Sequence, residues 1–236
     1  TAGARDAASV HAYSGAVTLS NGKKSAGIAG SYSHNRLSKH TGVRIRGADL
    51  QLNDDLTLAS RNAGHIRALA AGGTTEGKSG VAGSVTNNRI DSAASVDVTG
   101  STIDMGSPEE GDLSVGLSAA DDSIIKSLAG SGTLGARYGV GAAVAVNSIN
   151  TGDDATGTRV RFEDGTIAAD RDIVLSAVTD ARIHSLAGVF GLNDSVTANG
   201  SVATNTIDHP TTVEVSGGTL ETDANVNVNA EDNSTI

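Results

Sequence analysis

Cysteine is absent from this chain, and so is tryptophan. Without Cys there is neither a disulfide scaffold nor a thiolate metal site. The absence assigns no compartment, because a chain exported unfolded through an outer membrane also does better without thiols. Aromatic residues make up only 2 % of the sequence. A globular core of this size usually draws on large rings, which bury the most apolar area per residue. Proline occurs twice. There is no apolar run of about 18 residues and no basic-then-apolar leader, so no segment reads as a membrane-spanning helix.

What the chain has instead is Val, Ile, Leu and Ala, with 30 glycines, over 236 residues. β-Branched strands joined by Gly-rich turns suit a narrow, stacked core. A short apolar word supports that expectation by recurring. Val10-His-Ala-Tyr returns as Ile66-Arg-Ala-Leu, Ile125-Lys-Ser-Leu and Ile183-His-Ser-Leu, and Ile236 closes the chain in the same context, at steps of 56, 59, 58 and 53 residues. Further words keep a constant order in each unit: Asn35-Arg-Leu37, Val43-Arg-Ile45, Leu50-Gln-Leu52 and Leu56-Thr-Leu58 in the first. In the second unit they are Asn88-Arg-Ile90, Val96-Asp-Val98, Ile103-Asp-Met105 and Leu113-Ser-Val115. A period of this size, built of strand-like runs, predicts a solenoid whose units bury their faces only against neighbours.

The words alternate apolar and polar, the period-2 pattern of a half-buried strand. Between them stand Gly47, Gly100, Asp164-Gly165 and Gly217-Gly218, residues that accept the left-handed conformations of tight corners. No stretch carries a 3.6-residue stripe, so almost no helix is expected. Strand, corner, strand, corner, strand predicts one three-sided coil, and stacked coils predict an all-β, right-handed parallel β-helix. Residues 1–236 form one domain of 53–59-residue repeats. The remainder of each unit, such as 125–132 and 138–149, favours further coils, with a hairpin leaving the side of the helix as the alternative. Two to three coils per unit imply a rod on the order of 40–60 Å long. The words are cut at both ends of the chain, so a piece of something longer is expected, with unpaired strand edges that invite end-to-end association.

Words such as Val213-Glu-Val-Ser-Gly-Gly-Thr-Leu220 and Val96-Asp-Val-Thr-Gly-Ser-Thr-Ile103 resemble the coils of two-partner-secretion exoproteins, the filamentous-haemagglutinin-like adhesins of Gram-negative bacteria. The segment Tyr138-Gly-Val-Gly-Ala-Ala-Val-Ala-Val-Asn-Ser-Ile149 is similar to the longer units of leukotoxin-like filamentous adhesins. The resemblance implies a secreted or surface-tethered rod, exported through an outer-membrane partner and used in adhesion or virulence. Haemagglutinin units are near one coil long, shorter than these, and the secretion domain that defines the family is not in this sequence. No functional residue is carried over.

Formal net charge is −10, which disfavours nucleic acid as a partner for the whole surface. The charge is uneven: residues 1–67 carry nine Lys/Arg against four Asp/Glu, and the rest carry eight against twenty-three. Lys23, Lys24, Arg36, Lys39, Arg44 and Arg46 fall within 24 residues and form the candidate site, a cationic patch for acidic glycans. The alternative is an ordinary charged surface.

Other chemistry is weaker. Gly130-Ser-Gly-Thr-Leu-Gly135 fits a dinucleotide pattern, but its sister units lack it and no helix is expected to follow. The six His show no ligand spacing, and His65 and His184 are expected to face outward. The pairs Asp54-Asp55, Asp121-Asp122 and Asp153-Asp154 are expected at solvated corners, without the oxygen count calcium wants. Asp121, Asp122, Asp170 and Asp172 are the carboxylates a polysaccharide-active enzyme would need, though corner placement argues for structural use. No Gly-x-Ser-x-Gly elbow occurs. Asn193, Asn199 and Asn233 head formal glycosylation sequons of the kind an Asn/Ser-rich repeat generates by chance. Two short insertions, 107–110 and 151–154, are expected as loops on the faces.

Together these features predict a non-enzymatic structural and adhesive rod segment with no cofactor. It would be secreted or on the bacterial surface and would contact a host or neighbouring cell. The alternatives are a ligand-free spacer, a cytolytic fragment and a polysaccharide-active enzyme.

Overall fold

The computed structural model describes residues 1–20, 24–75, 77–105, 113–151 and 157–236. Among them every regular element is a β-strand and there is no helix. Sheet A stacks β1 (Ala2–Leu19), β4 (Leu56–Thr75) and β7 (Val115–Leu134); below them come β11 (Ile173–Thr179) and β12 (Arg182–Leu192) at one level, then β16 (Val226–Asp232). Sheet B stacks β2 (Ala26–Arg46) and β5 (Ser79–Thr99). Beneath these are β8 (Tyr138–Asn150) with β9 (Thr158–Glu163), then β13 (Val196–Asp208) with β14 (Thr211–Ser216). Sheet C holds the short strands β3 (Asp49–Leu52), β6 (Thr102–Met105), β10 (Thr166–Ala169) and β15 (Thr219–Thr222). The chain visits A, B and C in turn and returns to A, and all pairings between levels are parallel. The fold is a parallel β-helix.

Each unit makes one circuit, not two or three. Residues 125–132 continue β7, and 138–149 lie in β8, the returning strand of the same coil. Sheets A and B therefore run far past the three-sided core as a two-layered arm, closer to the hairpin alternative than to extra coils. A strand of 20 residues such as β4 spans about 65 Å, whereas five levels of sheet A rise only about 19 Å. The molecule is a broad slab.

The inner positions change character along the slab. Near sheet C they are large and apolar: Val96, Val98, Ile103, Leu117, Val160 and Phe162 are fully buried. Farther out comes a polar belt containing Lys39, Asn62, Asp121 and His209, all buried. Then Ile66, Ile90, Ile125, Ile149 and Ile183 close a second apolar cluster. Beside them an amide ladder crosses the levels: Asn35 Nδ2 donates to Asn88 Oδ1, Asn88 Nδ2 to Asn147 Oδ1 and Asn147 Nδ2 to Asn205 Oδ1, each at 2.8 Å. Beyond the ladder the inner positions are tiny, Ala70, Gly72 and Thr74 on β4 with Gly80, Ala82 and Ser84 on β5. Small inner side chains let the two sheets approach closely.

The B-to-C corners share one conformation. Gly47, Gly100, Asp164 and Gly217 have φ of 56°, 58°, 51° and 61°, so Asp164 is the one non-glycine in the left-handed region among the described residues. Backbone bonds link each corner to the next, as in Gly100 N to Glu163 O at 2.8 Å and Asp164 N to Ser216 O at 3.0 Å. One repeat word is misplaced by two residues. The partner of Leu56 is Val115, not Leu113, and Leu58 lies beside Leu117. A two-residue slip keeps the same face inward, so alternation alone does not detect it.

Candidate functional site

Of the six basic residues of the sequence patch, the five described do not share one surface. Lys23 lies outside the described residues. Lys24 is exposed at the turn before β2, while Arg44 and Arg46 are exposed twenty or more residues on, about 65 Å away along the strand. Lys39 points inward and is only 3 % exposed. Its ammonium donates to the backbone oxygens of Asp6 and Ala63, both at 2.9 Å, and stands 3.2 Å from Asp6 Oδ1. Three oxygens compensate the charge, so Lys39 ties β2 to β1 and β4 and is unavailable to a ligand. Arg36 is paired with Asp91 at 2.9 Å, and Arg44 stands 3.8 Å from Asp97.

Asp121 and Asp122 do not assemble with Asp172 either. Asp121 and Asp122 lie within β7, not at a corner. Asp121 is buried, with neither carboxylate oxygen hydrogen-bonded to protein among the described residues. Asp122 faces out, 3.8 Å from Arg61. Asp172 stands at the C-to-A corner, where its Oδ1 accepts from Asn225 N at 3.2 Å. It precedes Ile173, the partner of Val115, so Asp121 lies roughly 20 Å farther along the sheet. Paired glycosidase carboxyls stand about 5–9.5 Å apart. Asp55 at the equivalent corner accepts from Ser114 N at 2.8 Å, so these corner carboxylates fasten one coil to the next. Asp153, Asp154 and the inserted residues 107–110 and 152–154 lie outside the described residues. The glycines at 130 and 132 belong to β7, and no helix follows them.

His65 is half-buried and His184 exposed, both on the outer face. Sequence reading did not anticipate the surroundings of His209. This buried ring sits with Nε2 at 3.1 Å from Ser92 O and 3.4 Å from Ser92 Oγ, and with Nδ1 3.5 Å from Thr179 Oγ1. A carbonyl oxygen can only accept, so the 3.1 Å contact to Ser92 O is a hydrogen bond with the proton on Nε2. Both side chains are enclosed, and the contact joins β5 to the turn before β14.

The outer face of sheet A holds a more coherent arrangement. Its residues come from the repeat word itself. Val10, Ile66, Ile125 and Ile183 point inward and stack in register. The next position, His11, Arg67, Lys126 and His184, forms an outward basic column, exposed at every level. Two residues on, Tyr13, Leu69, Leu128 and Leu186 form an outward apolar column, with Tyr13 71 % and Leu186 63 % exposed. Closer to the tip follow Val17 with Phe190, and Leu19 with Leu134 and Leu192, all exposed. Shallow grooves run between the columns, one bordered by Arg67, Lys126, Leu128 and Leu186. The signal was present in the second and fourth letters of the word; what was missing was the depth of the stack that turns four letters into columns.

Compared with known proteins, the chain matches no family model, no curated protein and no solved structure.

Proposed function

We propose that this chain is a structural and adhesive β-helical rod segment of a large secreted bacterial surface exoprotein. The full-length protein would leave the cell through an outer-membrane secretion partner, as the resemblance to two-partner-secretion exoproteins implies. Its work is mechanical and adhesive, not catalytic, and its partner is a host or neighbouring cell surface that includes acidic glycans. The observation that supports this reading is the repetition of outward columns. The basic position His11, Arg67, Lys126 and His184 and the apolar position beside it recur at four stacked levels. Repeated weak contacts on a rigid frame gain avidity without any single deep pocket.

The experiment is retention of the purified chain on whole cells and on immobilised acidic and neutral glycans, with released reducing ends measured in the same samples. Retention without release is expected. Release would replace this reading with an enzyme. No retention on any surface would replace it with a ligand-free spacer.

A further inference from the structure

The two outer faces of the arm differ in charge. On sheet B the cations that border the apolar half on the side away from the tip are Arg36 and Arg89, and both are paired with Asp91, at 2.9 and 2.6 Å. On sheet A, Arg67 and Lys126 have no ion-pair partner among the described residues. From their column to the tip, β1, β4, β7 and β12 contain no Asp or Glu. Lys24, Lys78 and Arg137 are exposed at the tip, where both sheets end, and so do not distinguish the faces; Arg137 lies over the Tyr138 ring on the sheet B side. Free positive charge thus borders an exposed apolar field. From Tyr13 to Leu19 is six steps, so the field runs about 20 Å along the strands, and four levels make it roughly 15 Å across.

An exposed apolar field of this size marks a surface built to meet another. A second copy laid face to face would set Arg67 and Lys126 against leucines or against each other, uncompensated in both arrangements. A soluble polyanion would satisfy the cations but leave Leu128, Leu186 and Phe190 in water. An anionic phospholipid surface answers both requirements at once, with phosphates for the basic column and acyl chains for the leucines. We propose that the distal outer face of sheet A docks flat on an anionic lipid bilayer. The basic column lies at the phosphate level, and Leu69, Leu128, Leu186 and Phe190 enter the outer acyl layer. The proposal rests on the adhesive reading and names its partner.

The test is co-sedimentation with phosphatidylcholine vesicles made with or without phosphatidylglycerol. Binding is expected only to the anionic vesicles and is expected to weaken with salt. Arg67→Gln/Lys126→Gln should weaken it on the order of thirtyfold, since each cation near such a surface contributes about a factor of five. Leu128→Ser/Leu186→Ser should abolish it while the basic column stays intact. All four positions face outward, so thermal unfolding should match wild type, and Arg44→Gln/Arg46→Gln, on the other sheet, should bind normally. Three results overturn the proposal. One is no vesicle binding by wild type. Another is binding that survives both double variants. The third is binding lost with the cations but indifferent to the leucines, which is polyanion behaviour. If cells or glycans retain the chain while vesicles do not, the lipid partner falls and the adhesive reading stands; if nothing retains it, both fall.

Discussion

Asn88 is the clearest case of one residue serving three levels. Its Oδ1 accepts from Asn35 and its Nδ2 donates to Asn147, in a buried setting where water cannot replace either bond. Removing the amide leaves a donor above and an acceptor below, and each orphaned group costs about 1–3 kcal/mol. Asn88→Ala is therefore expected to lower unfolding free energy by about 3 kcal/mol in urea titrations. Asn87→Ala, one residue away on the outer face, should stay within about 0.5 kcal/mol of wild type. Equal effects from the two substitutions would mean that the ladder contributes nothing of its own. Lys39 follows the same logic with a charge, because its three oxygen partners make an inward lysine tolerable. That is why a basic residue counted toward a surface patch lies inside: the strand's alternation fixed its direction, and the belt supplied its partners.

At the scale of the element, the arm depends on close approach of two sheets. Gly72 on β4 faces the backbone of Gly83 on β5, and a Cβ built on Gly72 collides with the Gly83 carbonyl. The obstacle is backbone, so it cannot be relieved by rotating a side chain. Gly72→Ala is expected to cost about 2–3 kcal/mol. Gly30→Ala, on the outer face of β2 with nothing within 4 Å of its built Cβ, should be neutral or slightly stabilising. Thermal melting of the two variants side by side measures the difference. The corners and the inward Val, Ile and Leu of each word were legible in the sequence, because turn residues and period-2 alternation are local. The arm was not. Gly, Ala, Ser and Thr at its inner positions resemble turn chemistry as much as strand chemistry, and alternation looks the same whether a strand runs straight for 20 residues or bends into another coil. The outward columns were equally hidden, since Arg67 and Lys126 become neighbours only once β4 and β7 lie in register.

For the whole molecule, the single circuit per unit gathers one of its two clusters of large apolar side chains in a narrow triangle beside sheet C. Val160 lies in that triangle with no exposure, paired with Val96 above and Val213 below. In a stack whose levels contact only their neighbours, a defect at an inner level weakens the interfaces on both sides of it. A carboxylate at this position would meet apolar side chains on every side, and burying an unpaired charge costs many kcal/mol unless the group is neutralised. Whole domains are stable by only about 5–15 kcal/mol. Val160→Asp is accordingly expected to abolish the cooperative thermal transition and the strand signature in circular dichroism. Val174→Asp, on the outer face of β11, offers the same chemical change to solvent and should keep both. A normal melt for Val160→Asp would mean that the triangle is not what holds the levels together. Stability would then have to come from the arm, where the isoleucine cluster, the amide ladder and the close sheet contact at Gly72 are the features able to supply it.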